Sequence, residues 1–331
     1  MKALTQVLVT GGSGFIGQHL VQQLVQRGYT VTSLDLRAPA QPVPGVTYVV
    51  CDLLEAGRLK LSLQQAQPDA LVHLAARTDL REEHDLAGYA ANVQGVENLV
   101  DAIRATPSVR RAICTSSRLV CRIGYTPTSD EDFQPTTTYG SSKVRTEQIW
   151  RQADGGGVVW CLVRPTTIWG PGMNPHYLTF FRMLRSGRYI HVGARPTRKS
   201  YGYIGNTVYQ YLRLLEVETD LVNRKLLYLA DYDPIAVEDW AEEFQRALGA
   251  PPIRTLPLWL ARAGARAGDF LNWLGWSRFP LNSFRLTNVL TPFELDLSVT
   301  EKVCGPLPFT MQEGVKETVG WLQAVWAESK S

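Results

Sequence analysis

The 331-residue chain lacks several features that would settle its class early. Its five cysteines, at positions 51, 114, 121, 161 and 304, are odd in number and include no C-x-x-C. A disulfide framework is not expected, and three of them fall in strand-like apolar runs where the thiol acts as a small hydrophobe. The histidines at 19, 73, 84, 176 and 191 form neither H-x-H nor H-E-x-x-H, so no metal site is expected. No stretch approaches the roughly 18 consecutive apolar residues of a membrane span, and the chain enters a strand within a few residues where a signal peptide would carry its apolar region. Charge of one sign is missing too. With 34 Lys and Arg against 31 Asp and Glu and no basic runs, nothing suggests a face that tracks nucleic acid, though a small anionic substrate stays open. No repeat or low-complexity tract is found. A soluble, cytoplasmic protein of one large or two modest domains is expected.

What is present is an alternation. Gln6 to Thr10 is a short apolar run that stops at Gly11, and Phe15, Ile16, Leu20, Leu24 and Val25 then repeat at helical spacing up to Gly28. Strand readings follow at 30–36, 46–51, 70–74 and 111–115, with helices over 87–106 and 139–152. Gly155-Gly156-Gly157 reads as a flexible surface turn before a strand at 158–163. Apolar strands alternating with helices imply an α/β protein, a doubly wound parallel sheet covered on both faces. After Pro165 the regularity weakens. Residues 225–230 look like a strand returning to the sheet, 237–248 like a helix stopped by Gly249, and the remainder like a smaller, mostly helical C-terminal lobe.

The turn Thr10-Gly11-Gly12-Ser13-Gly14-Phe15-Ile16-Gly17 spaces glycines at 11, 14 and 17 between a strand and a helix. That spacing serves a tight turn, a close approach of backbone to a pyrophosphate, and close packing of helix on sheet. The helix N-terminus adds free N–H groups and a positive dipole end. Asp35 closes the second strand at about the distance where an acid meets the ribose hydroxyls of a dinucleotide. An acid there disfavours a 2′-phosphate, so NAD is expected before NADP, while Arg37 keeps NADP open. Asp52 could accept from an adenine amino group or serve only as a solvated turn acid.

Tyr139-Gly140-Ser141-Ser142-Lys143 puts a phenol and an ammonium four residues apart on one helix face. A tyrosine working as a base near neutrality needs its pKa lowered by roughly 3 units, or about 4 kcal/mol. An exposed ion pair supplies at most about 1 kcal/mol. The site must be dry, and the oxidised nicotinamide ring should assist Lys143. Thr115-Ser116-Ser117 follows a strand at the carboxyl edge of the sheet, where a hydroxyl can hold a substrate oxygen beside the phenol. His73 ends an apolar strand and is expected to pack under the cofactor without titrating.

With T-G-G-S-G-F-I-G at 10–17, H-L-A-A at 73–76, A-N-V-Q-G-V-E-N-L-V at 91–100, T-S-S at 115–117, Y-G-S-S-K at 139–143 and R-P-T-T-I-W-G-P-G at 164–172, the chain resembles the extended short-chain dehydrogenase/reductase family, in its NAD-dependent epimerase/dehydratase branch. The resemblance implies a Rossmann domain over 1–165, with a returning segment at about 200–235, and a substrate lobe from 166–199 and 236–331. It implies Ser117, Tyr139 and Lys143 as catalytic residues supported by Asn92. The cofactor groove would be lined by Gly11, Gly14, Phe15, Ile16, Gly17, Asp35, Arg37, Asp52, Leu53, Leu74, Ala75, Ala76, Asn92, Thr115, Tyr139, Lys143 and Pro165. Where the family usually reads V-Y-G after the catalytic hydroxyl, this chain has Val120-Cys121-Arg122, a departure in the local loop and one substrate wall.

Relatives that eliminate water carry an Asp-Glu pair after that hydroxyl; here the positions hold Arg118 and Leu119, so dehydration is not expected. What remains is one oxidation or reduction, or two with a turn of the intermediate. The resemblance points to a nucleotide-sugar epimerase or reductase. Arg198 and Lys199 would meet the substrate diphosphate, and Thr167 and Asn174 the sugar. A 3β-hydroxysteroid dehydrogenase-like enzyme is the second reading. It draws on 256–276, where Trp259, Trp273 and Trp276 interleave with Arg262 and Arg266 and could cap the pocket or touch a membrane surface or apolar substrate. A non-catalytic dinucleotide sensor or assembly subunit is the third. A homodimer through exposed helix faces is a family-level expectation.

Overall fold

The computed structural model describes residues 4–79, 85–173, 175–193, 196–273 and 282–328. Two compact units emerge from the contacts. The first contains Met1–Ile168, Gly202–Tyr232 and Asp296–Pro308. The sequence reading gave all of 236–331 to the second lobe; 296–308 instead packs with the first unit, where the Thr300 hydroxyl donates to the Tyr228 carbonyl at 2.7 Å.

Chain order in the first unit is β1 (Gln6–Thr10), α1 (Phe15–Gln26), β2 (Thr30–Asp35), β3 (Val46–Val50), α2 (Ala56–Ala66), β4 (Ala70–His73), α3 (Ala90–Arg104), β5 (Arg111–Thr115), α4 (Thr138–Gln152) and β6 (Val159–Pro165). A helix Ile204–Glu216 and a strand Lys225–Leu229 complete it. The sheet has seven strands in the order Lys225–Leu229, β6, β5, β4, β1, β2, β3, and every pairing is parallel. Order reverses between β1 and β4, so the crevice beyond their carboxyl ends is the expected ligand position of a doubly wound sheet. The central strands are buried on both faces: β4 and β5 expose nothing along their length. Under one face, Leu8, Leu34, Leu71, Cys114 and Leu162 of the sheet meet Leu59 and Leu63 of α2, Leu99 and Ile103 of α3, and Trp150 of α4. All five cysteines are buried free thiols, and burial raises those of Cys161 and Cys304 to about 12.

Two local expectations need correction. The glycine run at 155–157 faces solvent only in part: Gly157 is exposed, whereas Gly155 is buried with φ +59°, and a Cβ there would enter the Trp160 ring. The helix expected over 87–106 begins as a 3-10 turn at Ala87–Tyr89, with α3 proper starting at Ala90.

The second unit comprises Trp169–Tyr201, Asp233–Leu295 and Phe309–Ser331. It is mostly helical, with Pro175–Arg185, Val237–Leu248, Leu258–Trp273, Ser283–Leu290 and Met311–Glu328, and two small strand pairs. Its core is aromatic: Trp169, Phe181, Trp240 and Phe244 stack edge-on or tilted at 4.7–6.2 Å between ring centroids. Helix Leu258–Trp273 buries Ala261 and Ala265 against Leu286 and leaves Trp259 69% exposed. Trp276 lies outside the described residues, as do Asn174 and His84. No helix among the described residues is long and apolar enough to cross a membrane.

Candidate active site

The glycine turn is built by exclusion of side chains. Gly11 has φ +74°, and a Cβ on it would lie 2.5 Å from the Ala75 amide nitrogen, because the loop after β4 crosses directly over the turn. Gly17 packs so closely that a Cβ would overlap the Gly11 carbonyl and sit 2.6 Å from Gly12 Cα. Gly14 is exposed, and α1 begins on it with neither a capping side chain nor an acid in its first turn. The orphan N–H groups of the helix start thus receive no side-chain cap.

Asp35 ends β2 beside this turn and accepts from the Ser13 amide at 3.0 Å and the Leu36 amide at 2.7 Å. Arg37 is exposed, and its carbonyl receives the Ser13 hydroxyl. Asp52 accepts from the Leu54 amide at 2.9 Å, a turn role that leaves its second carboxylate oxygen for another donor. Leu53 points its side chain into the core against Gly95, so only its backbone can border the groove. Leu74 and Ala75 are held under the turn: the Leu74 amide donates to the Thr10 carbonyl, and the Ala75 amide reaches the Thr10 hydroxyl at 3.4 Å. Phe15 and Ile16 open α1 half-buried.

The second half of the site is assembled by α4. Thr137 caps the helix by accepting from the Gly140 amide at 3.0 Å. Gly140 itself faces the Arg118–Val120 turn, and a Cβ there would strike the Leu119 carbonyl. That close approach sets Ser117 near Tyr139, whose phenol it draws down against the effect of burial, while the Ser117 hydroxyl accepts from the Leu119 amide at 3.1 Å. Tyr139 is only 8% exposed, and burial pushes its phenol up to about 12 against the lowering influence of Ser117. The expected depression of the phenol is therefore not supplied by the chain alone. Lys143, one turn on, is buried and donates to the Thr115 carbonyl at 2.9 Å; burial brings its ammonium down to about 8.

Asn92 of α3 ties the framework together. Its side-chain amide accepts from the Arg77 amide at 2.8 Å and donates to the Arg77 carbonyl and the Ser142 hydroxyl. Pro165 is buried at the end of β6, and Thr115 shares a 2.9 Å hydrogen bond with the Tyr211 hydroxyl. His73 is fully buried, stacks on Trp150, and meets the Thr10 hydroxyl through Nδ1 at 2.7 Å. Burial, with Lys143 nearby, lowers it to about 3, so it is neutral. Beyond Ser117, the departing Cys121-Arg122 loop closes on itself: the Arg122 amide donates to the Gln134 carbonyl, and the Tyr125 hydroxyl donates to Asp132.

The remaining candidates among the described residues lie on short strands. Thr167 is half-buried at the start of the strand after β6. Arg198 and Lys199, in the second unit, are neighbours on one short strand and so point to opposite faces. Lys199 donates to the Asn288 carbonyl at 2.8 Å, and Arg198 stands 3.6 Å from Glu294 with both side chains about half exposed.

Sequence reasoning passed over Glu147 and Arg164. They form a bidentate pair with neither side chain exposed, at 2.7 and 2.8 Å, and Glu147 also accepts from the Ser116 hydroxyl at 2.6 Å. The signal was present, since Tyr139, Lys143 and Glu147 recur every four residues on one helix.

Among curated proteins, the chain is 29% identical over 269 residues to a 3-beta-hydroxysteroid dehydrogenase of Mycolicibacterium neoaurum, covering 76% of this chain and 73% of that protein. It is 26% identical over 340 residues to a UDP-glucose 4-epimerase of Vibrio cholerae, covering 98% and 97%. A solved UDP-glucuronic acid 4-epimerase of Bacillus cereus shares the fold at TM-score 0.75 and 17% identity, over 97% of this chain and all of that one. The sequence profile described as the NAD dependent epimerase/dehydratase family matches residues 7–225, two thirds of the chain. The chain belongs to the NAD-dependent epimerase/dehydratase family.

Proposed function

We propose that the chain is an NAD(H)-dependent epimerase or reductase acting at a hydroxyl or keto carbon of a nucleotide-activated sugar, with Tyr139 as general base and acid. The observation that carries this reading is the meeting of Tyr139, Ser117 and Lys143 in one buried corner beyond the carboxyl end of β5. The glycine turn fits a dinucleotide: backbone fills the space where side chains would stand at Gly11 and Gly17, while the helix start at Gly14 is uncapped and exposed. Its diphosphate would lie on the amides from Gly14 to Gly17. Asp35 would take the adenosine ribose, with Arg37 beside it, and Asp52 the adenine. Leu74 to Ala76, Asn92, Thr115, Lys143 and Pro165 would border the nicotinamide end.

When bound, the oxidised cofactor supplies a hydride acceptor and a positively charged ring. Tyr139 then takes the proton of the substrate hydroxyl, Ser117 donates a hydrogen bond to the oxygen as it becomes a carbonyl, and Lys143 holds ribose hydroxyls. A phenol that burial holds near 12 in the chain alone is neutral and poised to donate, which suits the reductive direction. Arg118 and Leu119 offer no second acid–base pair for loss of water.

A nucleotide-sugar substrate is supported by the nearly full-length match to the Vibrio cholerae epimerase and by Arg198, whose loose, half-exposed pair with Glu294 costs little to exchange for a phosphate. The steroid-type reading is favoured by a different observation, the commitment of Lys199 to a backbone carbonyl, together with the Mycolicibacterium neoaurum relative. The test is to release and identify any dinucleotide from the purified protein, then offer UDP-, GDP- and dTDP-sugars and a 3β-hydroxysteroid. Inverted sugar without net NADH change marks an epimerase, and a keto-sugar or its alcohol formed with stoichiometric cofactor turnover marks a reductase. Turnover of the steroid alone, insensitive to Arg198→Ala, replaces the first reading with the second. A dinucleotide bound with no turnover on any of these would indicate a sensor.

A further inference from the structure

We propose that Glu147 is a positioning residue of this site: its carboxylate, locked by Arg164, anchors the Ser116–Ser117 turn to α4 and supplies the negative charge that keeps the Lys143 ammonium in place. The inference rests on the reading above, in which Lys143 holds cofactor ribose.

Three observations support it. Glu147 Oε1 accepts from both the Ser116 hydroxyl at 2.6 Å and Arg164 Nε at 2.7 Å, while Oε2 takes Arg164 Nη2 at 2.8 Å. This spends the carboxylate on fixed partners, so its orientation has no freedom left. Ser116 sits between Thr115, whose carbonyl receives Lys143, and Ser117, which lies close enough to Tyr139 to influence its phenol. One oxygen of Glu147 therefore holds the segment that touches both candidate catalytic side chains. Arg164 carries the restraint outward: its guanidinium donates to the Tyr228 hydroxyl at 2.9 Å and the Asp130 carbonyl at 2.6 Å, and lies over the Phe133 and Tyr228 rings. Burial opposes the charge on Arg164, but the hydrogen bonds and charge of Glu147 outweigh it and keep it protonated.

The third observation is electrostatic. The titratable groups that act on Lys143 are Cys114 of β5, His73 of β4 and Glu147 of α4, with Tyr139 one turn before it on the same helix. Burial holds the Cys114 thiol and the Tyr139 phenol up and His73 down, so all three are neutral at pH 7. Glu147 is then the negative charge that offsets the cost of burying the Lys143 ammonium.

The test follows NADH binding by fluorescence from pH 6 to 10, which needs no substrate. In the unaltered chain the affinity should fall as pH climbs past about 8, where Lys143 loses its proton, and Lys143→Met should abolish that limb. In Glu147→Gln, which keeps the Ser116 contact but not the charge, the limb should move about one pH unit lower. Affinity at pH 6 should stay within roughly twofold, since the ammonium remains charged there. Should Glu147→Gln leave Arg164 too costly to bury, the paired variant Glu147→Gln/Arg164→Met removes both charges and should move the limb in the same direction by a smaller amount, since loss of the Arg164 cation partly offsets loss of the carboxylate. A limb that Lys143→Met abolishes but that stays put in Glu147→Gln, or in the paired variant, overturns the role of Glu147. Failure of the unaltered chain to bind NADH at any pH overturns the cofactor reading instead.

Discussion

At the scale of single residues, the site is a balance between burial and partnership. Tyr139 is dry enough to be pushed to about 12, and Ser117 recovers only part of that. A spectrophotometric titration of tyrosinate, taken as the difference between the unaltered chain and Tyr139→Phe, should accordingly show no ionisation of this residue below about pH 10 without dinucleotide. Bound NAD⁺ should shift that step downward, because a neighbouring cation stabilises the phenolate. Tyr139→Phe should reduce turnover by roughly 10²–10⁴-fold while leaving NADH affinity within a few-fold, the pattern of a lost proton-transfer group. An equal loss in affinity would make the ring a packing residue. Ser116→Ala should lower turnover and leave the alkaline limb of NADH binding unmoved, since it cuts the tie to the turn without altering the charge of Glu147.

At the scale of elements, what could be read in advance was what repeats along the chain. The β1–α1 turn, the parallel order of strands and the returning strand Lys225–Leu229 follow from apolar runs, glycine punctuation and helical periodicity. The Tyr139–Lys143 pair was legible from spacing on one helix. Contacts between distant segments were not. Arg164 ends up on Glu147 because β6 lies beside β5 in the sheet, and nothing in 164-RP-165 announces that partner. Within the Gly155–Gly157 run, the exposed Gly157 follows the surface reading and the buried Gly155 does not, because composition cannot separate glycine needed for solvent-facing freedom from glycine needed where Trp160 leaves no room. The contact of Lys199 with the Asn288 carbonyl was equally illegible, since it joins residues far apart in the chain. The three glycines of the first turn provide a test of element packing. Gly17→Ala forces a Cβ onto backbone that cannot yield and should cost about 1–3 kcal/mol or more in urea unfolding. Gly14→Ala has as its nearest neighbour the Gly11 carbonyl at 3.2 Å. It should cost under about 1 kcal/mol of stability, and weaken NADH binding instead, because a methyl group would stand where the diphosphate approaches. Equal stability losses in the two variants would show that the turn is only a packing device.

At the scale of the whole molecule, the buried titratable groups should leave an imprint on stability as a function of pH. His73 is lowered to about 3 in the fold, from an unfolded value near 6.5, so between those limits the unfolded chain binds the extra proton. Its contribution to stability is complete above about pH 6.5 and is lost as pH falls toward 3. Asp231, which accepts from the Tyr203 amide and from the Asn206 side chain, is raised by burial to about 6, above its unfolded value near 3.9. There the folded chain holds the proton, and stability is gained as pH falls from about 6 to 4. Each group changes stability by up to about 1.4 kcal/mol per pH unit inside its window, with opposite sign. The two should nearly cancel between pH 4 and 6, leaving the loss due to His73 to appear chiefly below 4. Urea unfolding of single variants separates them. Asp231→Asn should lose stability relative to the unaltered chain as pH drops from 6 to 4, and His73→Leu should gain it over the same interval. Both should track the unaltered chain between pH 7 and 8, because neither group titrates there in either state. If the two difference curves slope the same way, loss of solvent does not govern the proton of one of these residues.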